Sequence, residues 1–413
     1  MAQEDSADRE NRNPYLAESG EANDLRGMNT TDGRRGSRFA DLALVLSGGG
    51  ARASYQVGVL AAITERFPEL QVPILTGVSA GAINATSLAS NPGSLAAAVG
   101  TLRREWKSLT ADMVYRVRPT SIIRSSIRWT LQFLLGRRSG PGVMRGLMDL
   151  SPLRRFLGET VVLEGIARNI AAGNLDALAL SATSYTTGKT VTFVQGSERV
   201  PTWERALRAA IRVELQLDHV LASASIPIVF PAVKLGDGFY GDGSVRQTAP
   251  LAPAIHLGAR KLIAISMRVP RGETTPSAPR GDYPAAAEVV SLLFNAVFLD
   301  AIDADAERMD RVNQLVAALP AGHAIPGGLR RVDLLLLRPS RDLGLLAQGH
   351  ETKLPSLVRF IVQGMGGRRT RGSDLVSYLL FEPAYTETLM DLGYSDATAQ
   401  WPRIEEFIAG CES

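Results

Sequence analysis

From about residue 40 onward, short apolar runs alternate with stretches of helical periodicity. Residues 40–46 are almost continuously apolar and end in Ser47-Gly48-Gly49-Gly50, the pattern of a buried parallel strand entering a tight loop. Residues 52–65 turn helical, with Val57, Leu60 and Ile63 or Ala61 on one face. Residues 73–76 form a second short strand, and 77–88 open a helix of small residues. Strand, loop and helix repeated in this order predict a βαβα unit and hence a parallel sheet.

Further along, 175–185 and 190–195 read as strands joined through Thr186-Thr187-Gly188-Lys189 in a hairpin. Residues 261–267 and 331–337 are apolar enough for central strands. Between them, 285–319 carries one long helical pattern with Val289, Leu292, Leu293, Ala296 and Val297 as its apolar positions. No repeat appears, and the Gly/Pro-rich stretches 270–284 and 321–328 read as loops inside one domain. The expected organisation is a polar, disordered tail over 1–38 and a single α/β domain over 39–400. Its motif core lies at 40–270, with a helical extension over 271–413.

Composition narrows the function classes. A chain of 413 residues with 45% hydrophobic content can bury one large core or two modest ones. Net charge is +3, too small for a nucleic-acid binder held by counterion release. The basic side is nearly all Arg, with Lys only at 107, 189, 234, 261 and 353, a bias that fits a GC-rich genome. The tail lacks an apolar h-region and no run of 18 apolar residues occurs, so neither a Sec signal peptide nor a transmembrane helix is expected. The expected location is cytoplasmic, with peripheral membrane contact. Cys411 is the single cysteine, so no internal disulfide or thiolate zinc site forms. With four histidines, at 219, 256, 323 and 350, and no HExxH, neither metal nor cofactor is expected. Asp300, Asp303, Asp305 and Asp310 lie in a helical pattern without the glycine turn of an EF-hand, and read as a solvated face.

Three motifs carry chemistry. Gly77-Val78-Ser79-Ala80-Gly81 is a G-x-S-x-G sequence between a predicted strand and a predicted helix. A serine on that turn is strained and exposed at the sheet edge, with the helix dipole favouring negative charge on its oxygen. Gly48-Gly49-Gly50-Ala51-Arg52 follows the preceding strand, where backbone amides free of Cβ atoms can face an oxyanion. Taken alone this loop also fits a phosphate cradle, but it is not GxGxxG, and the Gly-Lys-Thr at 188–190 has Thr183 where a P-loop needs glycine. Third, Gly241-Asp242-Gly243-Ser244 follows a predicted hairpin turning at Asp237-Gly238, which leaves Asp242 at a strand end. Alone it reads first as a turn aspartate.

Together, in this order, the three motifs resemble those of bacterial patatin-like phospholipases. The family's oxyanion pattern falls on Gly48 to Arg52, with Gly58-Val59-Leu60 beyond it, its nucleophile elbow on Gly77 to Gly81, and its catalytic aspartate on Asp242-Gly243-Ser244. The stretch Ala222-Ser223-Ala224-Ser225-Ile226-Pro227, with Phe230-Pro231, resembles the segment ahead of that aspartate. The resemblance spans 40–270 and extends loosely through Asp391-Leu392-Gly393-Tyr394. Two departures are Ala53 in place of glycine and Ser244 in place of a final glycine or alanine; both are small.

The resemblance implies a three-layer α/β fold, with a central mostly parallel sheet flanked by helices and a Ser–Asp dyad at strand ends. It implies lipid acyl hydrolysis, with Ser79 as nucleophile and Asp242 as general base. The oxyanion hole falls on Gly48, Gly49, Gly50 and Ala80, Arg52 serves head group or loop, and Gly77 and Gly81 form the elbow. The partner implied is a phospholipid or lysophospholipid. Two other readings stay open: a Ser–Asp–His esterase using His256 or His350, whose chain order is satisfied, and a non-catalytic lipid-binding protein of the same fold. Residues 121–138, with Ile123, Ile127, Leu131 and Leu134 at helical spacing beside Arg124, Arg128, Arg137 and Arg138, read as a core-packed helix or a membrane-surface one. Arg368, Arg369 and Arg371 are an anion contact or a solvated loop.

Overall fold

The computed structural model describes residues 39–117, 146–269, 286–320, 329–356, 358–359 and 373–412. The tail at 1–38, the amphipathic stretch at 121–138, the loop readings at 270–284 and 321–328, and Arg368, Arg369 and Arg371 lie outside them. The strands are β1 Leu42–Leu46, β2 Ile74–Val78, β3 Arg116–Val117, β4 Met148–Asp149, β5 Ala177–Ser184 and β6 Thr190–Gly196. They continue with β7 Glu204–Arg205, β8 Arg208–Arg212, β9 Val233–Leu235, β10 Gly238–Asp242, β11 Lys261–Ile265 and β12 Asp333–Leu337. The principal helices are α1 Ser54–Arg66, α2 Ala80–Ser90, α3 Leu95–Ser108, α4 Ser151–Thr160, α5 Glu164–Ala171 and α6 Leu217–Ala224. After them come α7 Ala252–His256, α8 Ala286–Phe298, α9 Asp300–Ala317, α10 Ser373–Leu379, α11 Pro383–Ala399 and α12 Trp401–Ala409.

One sheet runs in the order β12-β11-β1-β2-β5-β6-β8-β7. The block from β12 through β5 is parallel throughout, and β5 and β6 form the antiparallel pair that their turn predicts. The sequence Leu-Ala-Leu-Val-Leu of β1 is buried at every position because helices cover both faces. Leu42, Leu44 and Leu46 join the larger core beneath α1, α2 and α3, whereas Ala43 and Val45 join a second core under α7 and α9. Mixed α/β structure with a mostly parallel sheet between helical layers is therefore the architecture.

Several expectations change. Helix α1 is buried beyond the one apolar face that its sequence marks: all of Ser54 to Leu60 and Ala62 to Thr64 are buried, because α11 packs against it as well. The pattern at 285–319 is two helices, α8 and α9, meeting at Leu299. Strand β12 is at the sheet edge rather than its centre, and it brings part of the stretch from 271 onward into the sheet. The four aspartates are not one solvated face. Asp305 is buried and accepts from the Leu251 amide at 2.9 Å; Asp300 pairs with Arg268 and Asp303 with Arg338, while Asp310 accepts from Gln314 on the surface.

Candidate active site

Register brings the site together. Strand β2 runs alongside β5 and ends with Val78 opposite Ser181. Strand β10 approaches from the other direction and ends with Asp242 opposite Ala182, the next residue of β5. The two strands thus meet nearly head-on at consecutive positions of one neighbour, and Ser79 and Asp242 stand where they meet.

Ser79 has φ 56 and ψ −130, a backbone conformation that a side chain adopts only when its surroundings enforce it. Gly81 lets the start of α2 lie against the end of β1, since a Cβ there would fall on the carbonyl oxygens of Leu46 and Ser47; Gly77 similarly abuts Gly81 and Ala82. The Ser79 amide donates to Ser223 Oγ at 3.1 Å, and that hydroxyl donates to the Ser181 carbonyl at 2.7 Å. Two residues on, the Ser225 carbonyl accepts from the Asp242 amide at 2.8 Å. The end of α6 therefore holds Ser79 and Asp242 in one frame. The sequence reading quoted this stretch but assigned it no role.

Asp242 is fully buried. Its Oδ1 accepts from the Ser244 amide at 2.9 Å, while Oδ2 has no hydrogen-bond partner among the described residues, and neither does Ser244 Oγ. Burial pushes the carboxyl up to about 6, against the opposing influence of the Ser79 and Ser244 hydroxyls and the Ser244 amide. Those hydroxyls are near enough to favour the anion without completing a hydrogen bond of ordinary geometry to Oδ2. A buried carboxylate poised near neutrality with an open lone pair is a competent proton acceptor.

Opposite stands the glycine loop. A Cβ on Gly48 would lie 2.9 Å from both Ser79 Cβ and Ser244 Oγ, so only glycine lets the loop pack this closely against the serine. Gly50 has φ +56 and opens a short 3₁₀ turn, and Ala80 opens α2. First-turn amides have no intrahelical acceptor, so both remain available to an oxyanion. Arg52 is buried, its guanidinium stacked 4.4 Å from the Tyr378 ring centroid and its Nε donating to Ser377 Oγ at 2.7 Å. It braces the loop from behind and is not among the residues lining the pocket beside Ser79.

A buried relay sets the loop's position. Gln56 Nε2 donates to the Ser47 carbonyl at 2.9 Å, Asn84 Nδ2 to Gln56 Oε1 at 2.9 Å, and Trp106 Nε1 to Asn84 Oδ1 at 2.8 Å. Nothing in the local sequence pattern marks these residues. Trp106 in turn lines an apolar pocket that Ser79, Ala80 and Gly50 also line.

The two candidate histidines stand elsewhere. His256 stacks on Trp203, ring centroids 4.7 Å apart, beside the core on the opposite face of the sheet. Burial, then Arg205, Arg208 and Arg330, lowers its pKa to about 4. His350 lies 6.3 Å from the Tyr385 ring. Neither lines the pocket. Among the described residues no group of three or more His, Cys, Asp or Glu side chains is placed to hold a metal ion, and no helix is long and apolar enough to cross a membrane.

The family description "Patatin-like phospholipase" matches residues 44–255, an interval that contains the glycine loop, Ser79 and Asp242. The chain belongs to the patatin-like phospholipase family. This patatin-like chain is similar in fold to human GIVD cytosolic phospholipase A2, alone (11% identity, TM-score 0.45) and in complex with methyl gamma-linolenyl fluorophosphonate (12%, TM-score 0.40). Each match covers 91% of this chain and 60% of the human one, so the chain spans about three-fifths of that relative's length. VipD from Legionella pneumophila is similar over 85% of this chain and 66% of its own, at 12% identity and TM-score 0.29. No curated protein matches by sequence.

Proposed function

We propose that this patatin-like protein hydrolyses a fatty acyl ester of a phospholipid or lysophospholipid through a Ser79 acyl-enzyme. The observation that carries the reading is the buried, unpartnered Oδ2 of Asp242 beside a strained Ser79 that opens onto an apolar pocket. Ser79 Oγ attacks the ester carbonyl carbon as its proton passes to Asp242. The oxyanion takes hydrogen bonds from the amides of Gly49, Gly50 and Ala80, with Gly48 allowing their close approach. Collapse breaks the bond to the alcohol, which leaves with the proton from Asp242. A water then gives a proton to Asp242 and attacks the acyl-enzyme; the bond to Ser79 Oγ breaks, Asp242 returns that proton to Ser79 Oγ, and the fatty acid leaves. Arg52 acts as loop support.

The test is intact mass after fluorophosphonate treatment. Wild type gains one adduct, Ser79→Ala gains none, and Asp242→Asn reacts at least about a hundredfold more slowly, within the range of general-base catalysis. An adduct on Ser79→Ala, or an Asp242→Asn rate equal to wild type, would sink the dyad.

A further inference from the structure

The helix that carries the nucleophile also grades the pocket. Ser79, Ile83 and Ser87 all line it; at four-residue spacing they share one face of α2, so the pocket runs along the helix. Eight residues at the helical rise place Ser87 roughly 12 Å from the nucleophile. Most of the remaining lining is hydrocarbon and aromatic, including Leu102, Trp106, Leu153 and Leu157.

At the Ser87 end the chemistry changes. Ser87 Oγ donates to Glu105 Oε2 at 3.2 Å, and both residues line the pocket. Burial pushes the Glu105 carboxyl up, opposed by this hydrogen bond and by Arg104. Val161 lines the pocket too, just ahead of α5, whose Gly165 abuts the Ser90 carbonyl at the end of α2. Acyl ester hydrolysis at Ser79 uses neither Glu105 nor Ser87.

Building on that hydrolysis, we propose that the Ser87–Glu105 pair ends the acyl-binding pocket and sets the length of acyl chain cleaved. An extended chain advances roughly 1.2 Å per bond, so the span holds an acyl group of about ten carbons. Up to that length each methylene leaves water for an apolar wall, worth about fourfold in binding. Beyond it, further methylenes gain no burial and displace solvent from a carboxyl and a hydroxyl that receive no hydrogen bond in return. Medium-chain lipids are the substrate class this selects.

The experiment measures kcat/KM for saturated p-nitrophenyl esters from four to sixteen carbons, each protein's profile normalised to its own four-carbon value. Wild type peaks at eight to ten carbons and falls at least about tenfold by sixteen. Glu105→Leu moves the peak to twelve or longer, and Glu105→Gln, which keeps a polar end, moves it less. A wild-type profile still rising at sixteen carbons, or one unchanged in Glu105→Leu, overturns the proposal. A parallel arm titrates saturated fatty acid methyl esters into Ser79→Ala by calorimetry, which needs no turnover. Affinity levelling off near ten carbons there supports the length limit even if the esters are not hydrolysed; affinity climbing through sixteen refutes it even if they are.

Discussion

Asp242 shows how one residue sets both chemistry and stability. Its carboxyl is held at about 6 by burial, against an ordinary value near 4. In the reaction we propose, Asp242 accepts a proton only when ionised, so kcat/KM on a short ester should rise with pH through about 6 and level off above it. A rising limb near pH 4 would show that the buried carboxylate is not the group deprotonated. The stability consequence has the opposite slope. Between about pH 4 and 6 the folded chain keeps a proton that the unfolded chain has lost, so stability falls as pH rises through this window. Above it the ionised, desolvated carboxylate costs up to about 3 kcal/mol. Asp242→Asn keeps an oxygen for the Ser244 amide and removes the charge. At pH 7.5 it therefore unfolds at higher denaturant, by about 1–3 kcal/mol, while losing activity. Equal or lower stability in urea titrations would mean that the site accommodates the charge without penalty.

Elements translate such residues into geometry. The Trp106–Asn84–Gln56–Ser47 relay ties α3, α2 and α1 to the loop that precedes the oxyanion glycines. Gln56→Leu fills a similar volume but leaves the Ser47 carbonyl without its donor, costing about 1–3 kcal/mol and loosening the loop. Because oxyanion contacts act on the transition state, kcat on a short ester should fall at least about tenfold while KM stays within about twofold. A change confined to KM would assign Gln56 to packing alone. The strained turn at Ser79 depends in the same way on α6, whose Ser223 takes the amide that the turn leaves free. Neither dependence shows in the local sequence, because each joins residues far apart along the chain.

At the scale of the molecule, the matched interval ends at 255, but the structure it belongs to does not. Helix α11 buries Tyr385, Leu389 and Met390 against α1. Asp396 of the same helix accepts from Tyr55 Oη at 3.0 Å and from the Ser340 amide at 2.9 Å. Tyr378 and Ser377 of α10 hold Arg52 behind the glycine loop. A chain ending at residue 372 would expose α1 and lose the brace of the oxyanion loop. It should lose cooperative thermal unfolding and fluorophosphonate labelling together, as read by circular dichroism and mass; labelling at the wild-type rate would show that the C-terminal helices are dispensable.

The sequence alone pointed to β1, β2, the β5–β6 hairpin and the three motif positions. Apolar runs buried on both faces, the G-x-S-x-G turn and the three glycines before Arg52 are local signals, because strand period and turn conformation depend on neighbours in the chain. It also singled out Asp242, but only by its company, since an aspartate between glycines is ordinarily a turn. Tertiary structure decided what depends on meetings across the chain. It brought β2 and β10 head-on beside β5, covered α1 with α11, and sent β12 to the edge. It placed His256 on the far side of the sheet and set Glu105 opposite Ser87 in the pocket. Each of these is fixed by packing and register, where burial free energy is gained between distant segments and periodicity along one segment carries no record of its partner.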